Sequence, residues 1–379
     1  MPYIISEDTK DLLSAVKEFC DNEVKEQCKE YDVTGEWPKE IYDQAIEMEL
    51  HLLELPEELG GMGLDDVSAA ALYEEMAKAD AGFATTLVAS NLGLKPILIA
   101  GNDEQKQQFA DVLTGGGYIG FAITEPNGGS DVSNTKTTAV YDATTDEYVL
   151  NGRKCFITNG GIADIYFVTA VTDKTKGLKG LSGFVVERNR QGVSTGNHEN
   201  KMGIRLSNTC DVILEDVRIP AKNLVGKEGE GFKIAMKTLD ASRPYIGCLA
   251  VGIAQRALDE AVAYTKERVV FGSSVASKQG MQFKLADMDI QIETARQMVA
   301  HALTLKTNGQ PYSREAAIAK CYAGDISVQV CLEAIQALGG YGYSREYPVE
   351  KILRDSKIFQ IFEGTNEIQR VVVANNLLR

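Results

Sequence analysis

The sequence predicts an α+β protein in three successive units, helical, then β, then helical, and three observations predict it. Apolar residues recur at three- and four-residue spacing up to about residue 113. Seven short runs rich in β-branched and aromatic residues follow the Gly115-Gly116-Gly117 break. From about Gly231 the helical period returns in long runs. At 379 residues the chain also exceeds what one hydrophobic core ordinarily supports, so division is expected on size alone. The divisions are placed at 1–116, 117–228 and 229–379.

In the first unit the expected helices are 9–29, 38–49, 66–78 and 104–113, with Asp66 before Val67 and Asn102 before Asp103 as caps. The expected strands of the second are 118–124, 135–141, 147–150, 154–157, 165–171, 183–186 and 210–217, separated by Gly, Asn and Asp turns. Seven short strands suit a small β-sandwich or barrel. The third unit carries periodic runs at 232–268, 279–308, 313–338 and 367–378, long enough to pack as a bundle.

Composition narrows the function classes. Hydrophobic residues at 44% and charged residues at 25% are ordinary for globular chains. Thirty-nine basic against 54 acidic residues give a net charge of −15, which opposes binding to nucleic acid or anionic lipid. Cysteines at 20, 28, 155, 210, 248, 321 and 331 form no C-x-x-C pair, the pattern of a reduced, intracellular protein. The N-terminus lacks a basic region followed by an apolar stretch, and no run of about 18 apolar residues is free of charge. A cytoplasmic location away from membranes is expected. His51, His198 and His301 lie far apart, which disfavours a His-rich metal site and leaves few candidates for a Ser-His-Asp triad. No metal is expected.

Three segments carry chemistry. The loop Gly120-Phe121-Ala122-Ile123-Thr124-Glu125-Pro126-Asn127-Gly128-Gly129-Ser130-Asp131 sets hydroxyls beside glycine backbone that a planar ligand can approach. It is neither a Walker loop nor the G-x-G-x-x-G fingerprint, and on its own it also reads as an ordinary turn. In Leu150-Asn151-Gly152-Arg153-Lys154-Cys155-Phe156-Ile157-Thr158-Asn159-Gly160-Gly161, an expected hairpin turn precedes a strand whose Phe156 and Thr158 share one face. That face suits a flavin ring, and equally a core aromatic with a cross-strand Thr. In Ile361-Phe362-Glu363-Gly364-Thr365-Asn366-Glu367, a carboxylate precedes a helix start between apolar residues able to desolvate it. Alone, Glu363 also reads as a solvated loop carboxylate.

Taken together, and with Lys201-Met202-Gly203, Gly226 through Gly231-Phe232, Glu267-Arg268 through Phe271-Gly272, Phe283-Lys284-Leu285-Ala286-Asp287-Met288 and Gly339-Gly340-Tyr341-Gly342, these segments resemble the acyl-CoA dehydrogenase family over essentially the whole chain. The resemblance implies FAD as cofactor, a C-terminal four-helix bundle, an acyl-CoA substrate, an electron-transfer flavoprotein as partner and a homo-oligomer, typically a tetramer. Phe121, Ile123, Thr124, Gly129 and Ser130 would line the flavin, with Ser130 also near CoA. Phe156, Ile157 and Thr158 would cover its other side, Thr158 near N5. Arg268, Phe271 and Gln279, joined by Gln336, Gly339 and Gly340, would reach the diphosphate and adenine of FAD held by a neighbouring subunit. Thr365 and Glu367 complete the implied cofactor set. Asp240 and Arg243 would lie near CoA; Phe83, Leu87 and Val88 would line the acyl pocket, and Phe362 and Gly364 would flank the substrate. Tyr245 is a further candidate for shaping that pocket.

Glu363 is implied as the base that removes the α-proton while a β-hydride passes to flavin N5, the thioester oxygen being held by the Glu363 N–H and a ribityl hydroxyl. Two departures stand out: Phe156 where the family usually has Trp, and Lys278 where an aromatic residue or His commonly precedes the Gln. The acyl segment lacks the Arg of glutaryl-specific relatives, so an uncharged, short- to medium-chain acyl group is expected. The rival readings are a 2-enoyl-CoA reductase running the same chemistry in reverse, an acyl-CoA oxidase, disfavoured by the missing C-terminal extension, and a noncatalytic acyl-CoA or flavin-binding protein.

Overall fold

The computed structural model describes residues 3–378. Its first unit opens with α1 (Glu7–Phe19), capped by Ser6 Oγ, which accepts from Thr9 N at 3.1 Å. One π turn at Cys20–Val24 leads directly into α2 (Lys25–Thr34), which stops at Gly35 in the left-handed region. The expected helix 9–29 is thus one rod of two helices that runs five residues further. After α3 (Lys39–Glu47) comes α4 (Asp66–Ala79), and its cap is Asp65 rather than Asp66. Asp65 Oδ1 accepts from Val67 N and Ser68 N, both at 3.0 Å, leaving Asp66 free to receive the Tyr245 hydroxyl at 2.6 Å. Two adjacent aspartates gave propensity no means of choosing between them. Helix α6 (Asp103–Thr114) starts on the expected Asn102, in a reciprocal capping box with Gln105.

Between these lies α5 (Ala81–Ala100), which periodicity did not reveal. Nearly every residue of it is buried, so it is apolar on all sides and carries no stripe. By length and composition alone α5 could cross a membrane, but it packs inside the protein against α4, β1 (Ile119–Ala122) and α7 (Gly231–Glu267).

Strands β2 (Thr138–Asp142), β3 (Glu147–Thr158), β4 (Ile165–Val171), β5 (Leu181–Glu187), β6 (Val193–Thr195), β7 (Thr209–Pro220) and β8 (Leu224–Val225) join β1 in one sheet. The order is β6-β7-β3-β2-β4-β5-β8, with β1 running parallel to β4. Side chains from β3, β4, β5 and β7 meet in a single cluster, and Tyr148 of β3 touches Phe184 of β5 across two intervening strands. The sheet therefore curls over its own face like an open barrel. Its other face packs through Ile119, Ile165, Phe167 and Val185 on Leu94 and Ile97 of α5 and Phe109 and Leu113 of α6.

The expected hairpin at Asn151-Gly152 is absent: β3 runs on through both residues, Asn151 opposite Thr138 of β2 and Gly152 opposite Leu214 of β7, with a register shift between Leu150 and Gly152. Asn151 instead bonds Asp216 across that pair, its Nδ2 donating to Asp216 Oδ1 at 3.0 Å. A register shift between Lys154 and Ile157 marks a β-bulge, and within it Phe156 has φ +55°.

In the third unit α7 packs with α8 (Gln279–Thr307) and α9 (Ser313–Leu338), and a two-stranded hairpin, β9 (Val269–Val270) and β10 (Ser273–Ser274), joins the first two. The short α10 (Val349–Ser356), missed in the sequence, and α11 (Asn366–Leu377) both pack on α9. Lys351 of α10 ties the three units together. Its ammonium lies 2.5 Å from Asp80, the cap of α5, and 2.6 Å from Asp355, which also accepts Ile204 N at 2.6 Å.

Candidate active site

The site forms where α5, α7 and α9 converge on the loop before α11. Glu363 and Gly364 in that loop both have left-handed backbones, φ +56° and +85°. Such a conformation costs a non-glycine residue about 1 kcal/mol or more and persists only where the surroundings impose it. The surroundings are identifiable. Gln369 Nε2 donates to Glu363 O at 3.1 Å and Gly364 O at 2.9 Å, and Lys320 Nζ of α9 donates to Gly364 O at 2.7 Å. Thr365 caps α11 by accepting Ile368 N at 3.3 Å, and Asn366 donates to Cys321 O and Asp325 Oδ1 on α9 at 3.0 and 2.8 Å. Phe362 packs edge-on to Phe359, ring centres 5.4 Å apart.

The Glu363 carboxylate is half-buried and crowded by protein. Ser242 Oγ lies 3.0 Å from its Oε2 and 3.1 Å from Leu239 O, so its single proton can serve one of them at a time. Burial pushes the carboxyl above its ordinary range, while the Ser242 hydroxyl and the Arg243, Lys320 and Lys95 cations act the other way. Its backbone N–H has no acceptor among the described residues. Arg243 is buried, paired with Asp240, and its Nε is without a partner among the described residues.

The loop after β1 is anchored at Glu125. This buried carboxylate accepts Lys136 N at 2.6 Å, Thr137 N at 3.1 Å and Lys154 Nζ of β3 at 2.8 Å. Lys154 also reaches Ile123 O at 3.3 Å, and Cys155 N donates to Thr124 O at 2.9 Å. The bulged end of β3 and the Ile123–Thr124 backbone are thus locked side by side. On this frame Phe156 is held 66% exposed beside buried Ile157 and half-buried Thr158, while Gly129 and Ser130 lie exposed at the loop tip. Phe121 stacks on Phe167, 5.7 Å between centres.

A second group stands apart. The C-terminal end of α7, the N-terminal end of α8 and the C-terminal end of α9 bring Arg268, Phe271, Gln279, Gln336, Gly339 and Gly340 to one end of the bundle, all exposed, Phe271 at 98%. The Arg268 guanidinium lies 5.6 Å from the centre of the Tyr341 ring. Nothing would meet a Cβ at Gly339 or Gly340 within 4 Å, so that backbone is open to approach. Twenty-six residues of α7 separate Ser242, at the Glu363 carboxylate, from Arg268, a rise of ~39 Å. The two groups of one chain are therefore remote from each other. Glu367 is exposed on the first turn of α11.

Among the acyl-pocket candidates, Phe83 is turned into the core of the first unit, near Phe19 and Tyr42 at ring distances of 6.0 and 5.4 Å. Leu87 and Val88 are buried on α5. Tyr245, fully buried, is pinned by its bond to Asp66, with Lys95 4.8 Å and Lys306 5.2 Å from its ring centre. Lys95 pairs with Glu54. Sequence reading passed over Ser242, Lys320, Gln369 and Lys154. A visible signal existed for Lys320, a single cation among the small residues Ala316, Ala317, Ala319, Ala323 and Gly324 on a helix.

Comparison with known proteins gives a consistent result. Family models for the acyl-CoA dehydrogenase N-terminal, middle and C-terminal domains match residues 6–117, 120–217 and 229–378. A short-chain-specific acyl-CoA dehydrogenase of Megasphaera elsdenii is 44% identical, with 100% of both chains covered. A chain in a solved structure of the electron transferring flavoprotein of Acidaminococcus fermentans superposes with a TM-score of 0.96 at 44% identity, covering 100% of both. An acyl-CoA dehydrogenase complexed with FAD from Bacillus anthracis superposes with a TM-score of 0.93 at 36% identity, covering 99% of this chain and 67% of that one.

Proposed function

The chain belongs to the acyl-CoA dehydrogenase family, and we propose that it oxidises a short- to medium-chain, uncharged acyl-CoA to the trans-2-enoyl-CoA with Glu363 as the base. The observation that carries this reading is the Glu363 loop: a carboxylate raised in proton affinity by burial, on a strained backbone whose own N–H has no acceptor among the described residues. A thioester α-proton is too weakly acidic for an ordinary carboxylate, so the developing enolate needs a donor. The Glu363 N–H supplies one to the thioester oxygen while the carboxylate takes the proton. Raised proton affinity makes Glu363 the better base as substrate excludes water.

FAD suits the two groups of residues. Exposed Phe156, held out on a bulge, offers an apolar face to the flavin ring, with Thr158 beside it. Gly129 and Ser130 border the same place, and Thr365 and Glu367 complete the set. FAD when bound accepts the β-hydride at flavin N5. Arg268 can offer bidentate bonds to a diphosphate, with Phe271, Gln279, Gln336, Gly339 and Gly340 beside it. Because this group lies far along α7 from Glu363, it serves the dinucleotide of a neighbouring copy. Exposed apolar residues at this end and along α8, Val269, Phe271, Phe283 and Tyr343 among them, suit packing between copies in a tetramer.

The Asp240–Arg243 pair flanks Ser242 on α7, where it serves the CoA end of the substrate together with Ser130. Leu87 and Val88 face the acyl group, Phe362 and Gly364 hold its reacting end, and pinned Tyr245 limits its length. Phe83, buried in the same cluster as Leu87 and Val88, is the third α5 candidate for lining the acyl pocket. Electrons leave to an electron-transfer flavoprotein, and seven unpaired cysteines suit a cytoplasmic setting. The test is anaerobic titration of the flavin-loaded protein with saturated acyl-CoAs from propionyl to palmitoyl. Bleaching of the oxidised flavin band by the shorter members is expected. A yellow protein bleached by none of them overturns this reading and points to the reductase direction or to an unusual acyl group.

A further inference from the structure

Three cations bear on the Glu363 carboxylate, one from each helix packed around it: Lys95 of α5, Arg243 of α7 and Lys320 of α9, with the neutral Ser242 hydroxyl in direct contact. Their charges are not equivalent. Lys95 is paired with Glu54, and Arg243 with Asp240, with Tyr312 nearby. On α9 the acids five residues to either side, Glu315 and Asp325, are paired with Arg314 and Arg370. Lys320 has no carboxylate within ion-pair distance among the described residues. Its ammonium is buried and bonds only to neutral acceptors, Gly364 O at 2.7 Å and Asn366 Oδ1 at 3.0 Å. Both acceptors belong to the Glu363 loop.

We propose that Lys320 is a positioning residue for Glu363, clamping the left-handed turn through the Gly364 carbonyl and supplying the uncompensated positive charge that keeps the carboxylate ionised before substrate arrives. The clamp is close-built on both sides. A Cβ on Gly324, one turn along α9, would meet Phe359 O at 2.6 Å, and one on Gly364 would meet Gln369 Nε2 at 2.7 Å. Lys320 and Gln369 thus approach one carbonyl from α9 and α11 and leave the turn no room to relax. The electrostatic part is consistent with this placement: burial lowers the Lys320 pKa to about 8, and the charge of Glu363 is the first influence opposing that fall, ahead of Cys321; Arg243 acts with burial.

This inference rests on the reading of Glu363 as base, and its test separates the two. Lys320→Gln keeps a donor for Gly364 O and removes the charge; Lys320→Met removes both. For flavin-loaded protein, kcat/KM is measured from about pH 5 to about pH 9 with a bleaching acyl-CoA, beside Glu363→Gln. Without the cation, Glu363 holds its proton to higher pH, so the acid limb moves up by about one pH unit in both variants. Turnover on the plateau falls on the order of tenfold in Lys320→Met and less in Lys320→Gln. Gln369→Met, which loosens the same carbonyl without changing charge, lowers turnover and leaves the limb in place. If both Lys320 variants load flavin and keep the wild-type limb, or if neither folds, the positioning role is overturned. If Glu363→Gln stays active, the base assignment itself fails, whatever the Lys320 variants do.

Discussion

Replacing Lys154 with Met tests how the sheet holds the loop after β1. The Lys154–Glu125 pair is almost wholly buried, side chains 0% and 3% exposed, with 2.8 Å between charges. Burial alone would raise the Glu125 pKa, but the Lys154 ammonium, Thr137 and the Lys136 N–H hold it below the usual carboxylate range, so the pair is ionised. Methionine fills the volume of the lysine stem but leaves a buried carboxylate with two backbone donors and no cation. Breaking a buried pair from one side typically costs about 3–5 kcal/mol, which for a chain of this size is a fall in Tm of roughly 4–6 °C. Because Glu125 anchors Ile123 and Thr124, flavin retention should fall as well. Lys154→Met, Glu125→Gln and the double variant are compared by calorimetry and by flavin absorbance after gel filtration. The double variant should recover part of the loss, since no charge is then stranded. Strictly additive losses, or a Lys154→Met protein as stable and as yellow as wild type, would refute the argument.

Other consequences are as direct. Gly252→Ala drives a methyl into the Glu74 carbonyl where α7 crosses α4 and should cost about 1–3 kcal/mol, read as a lower urea midpoint with spectra unchanged. Glu363 has a raised folded pKa, so its contribution favours the folded state below the ordinary carboxylate range and is lost as pH rises through the folded value; above that value the ionised group is a cost. Glu363→Gln should therefore raise Tm at pH 7–8 by about 2 °C, an advantage that shrinks in acid and is checked by thermal melts across pH. Arg268→Ala should weaken FAD retention while leaving the Glu363 loop intact, seen as flavin loss on dilution together with a shift toward smaller assemblies in sedimentation.

Much of the fold was legible because periodicity reports one-sided burial. The runs that became α8 and α9 bury one face at three- and four-residue spacing, the run that became α7 is buried all round from Ala241 to Ala254 but betrays itself by its periodic ends and length, and the strands have β-branched residues between turn signals. Helix α5 was invisible for the converse reason: it is buried all round, so its pattern has no period. Asn151-Gly152 reads locally as a turn but is overruled by ladder pairing with β2 and β7 on either side, which sequence cannot display. The choice of Asp65 over Asp66 as cap depends on Asp66 being claimed by Tyr245, 179 positions away. At the site, Glu363, Arg243 and Phe156 were visible through motifs. Lys320, Gln369 and Ser242 acquire meaning only when α7, α9 and α11 bring them to the same loop.

The central claim is tested most directly by Glu363→Gln, assayed for turnover and for exchange of the substrate α-proton with deuterated solvent. The variant is expected to load FAD fully and bind acyl-CoA, yet to lose turnover by about 10²- to 10⁴-fold together with the α-exchange. A flavin-saturated Glu363→Gln protein that turns over and exchanges at near wild-type rates would contradict it.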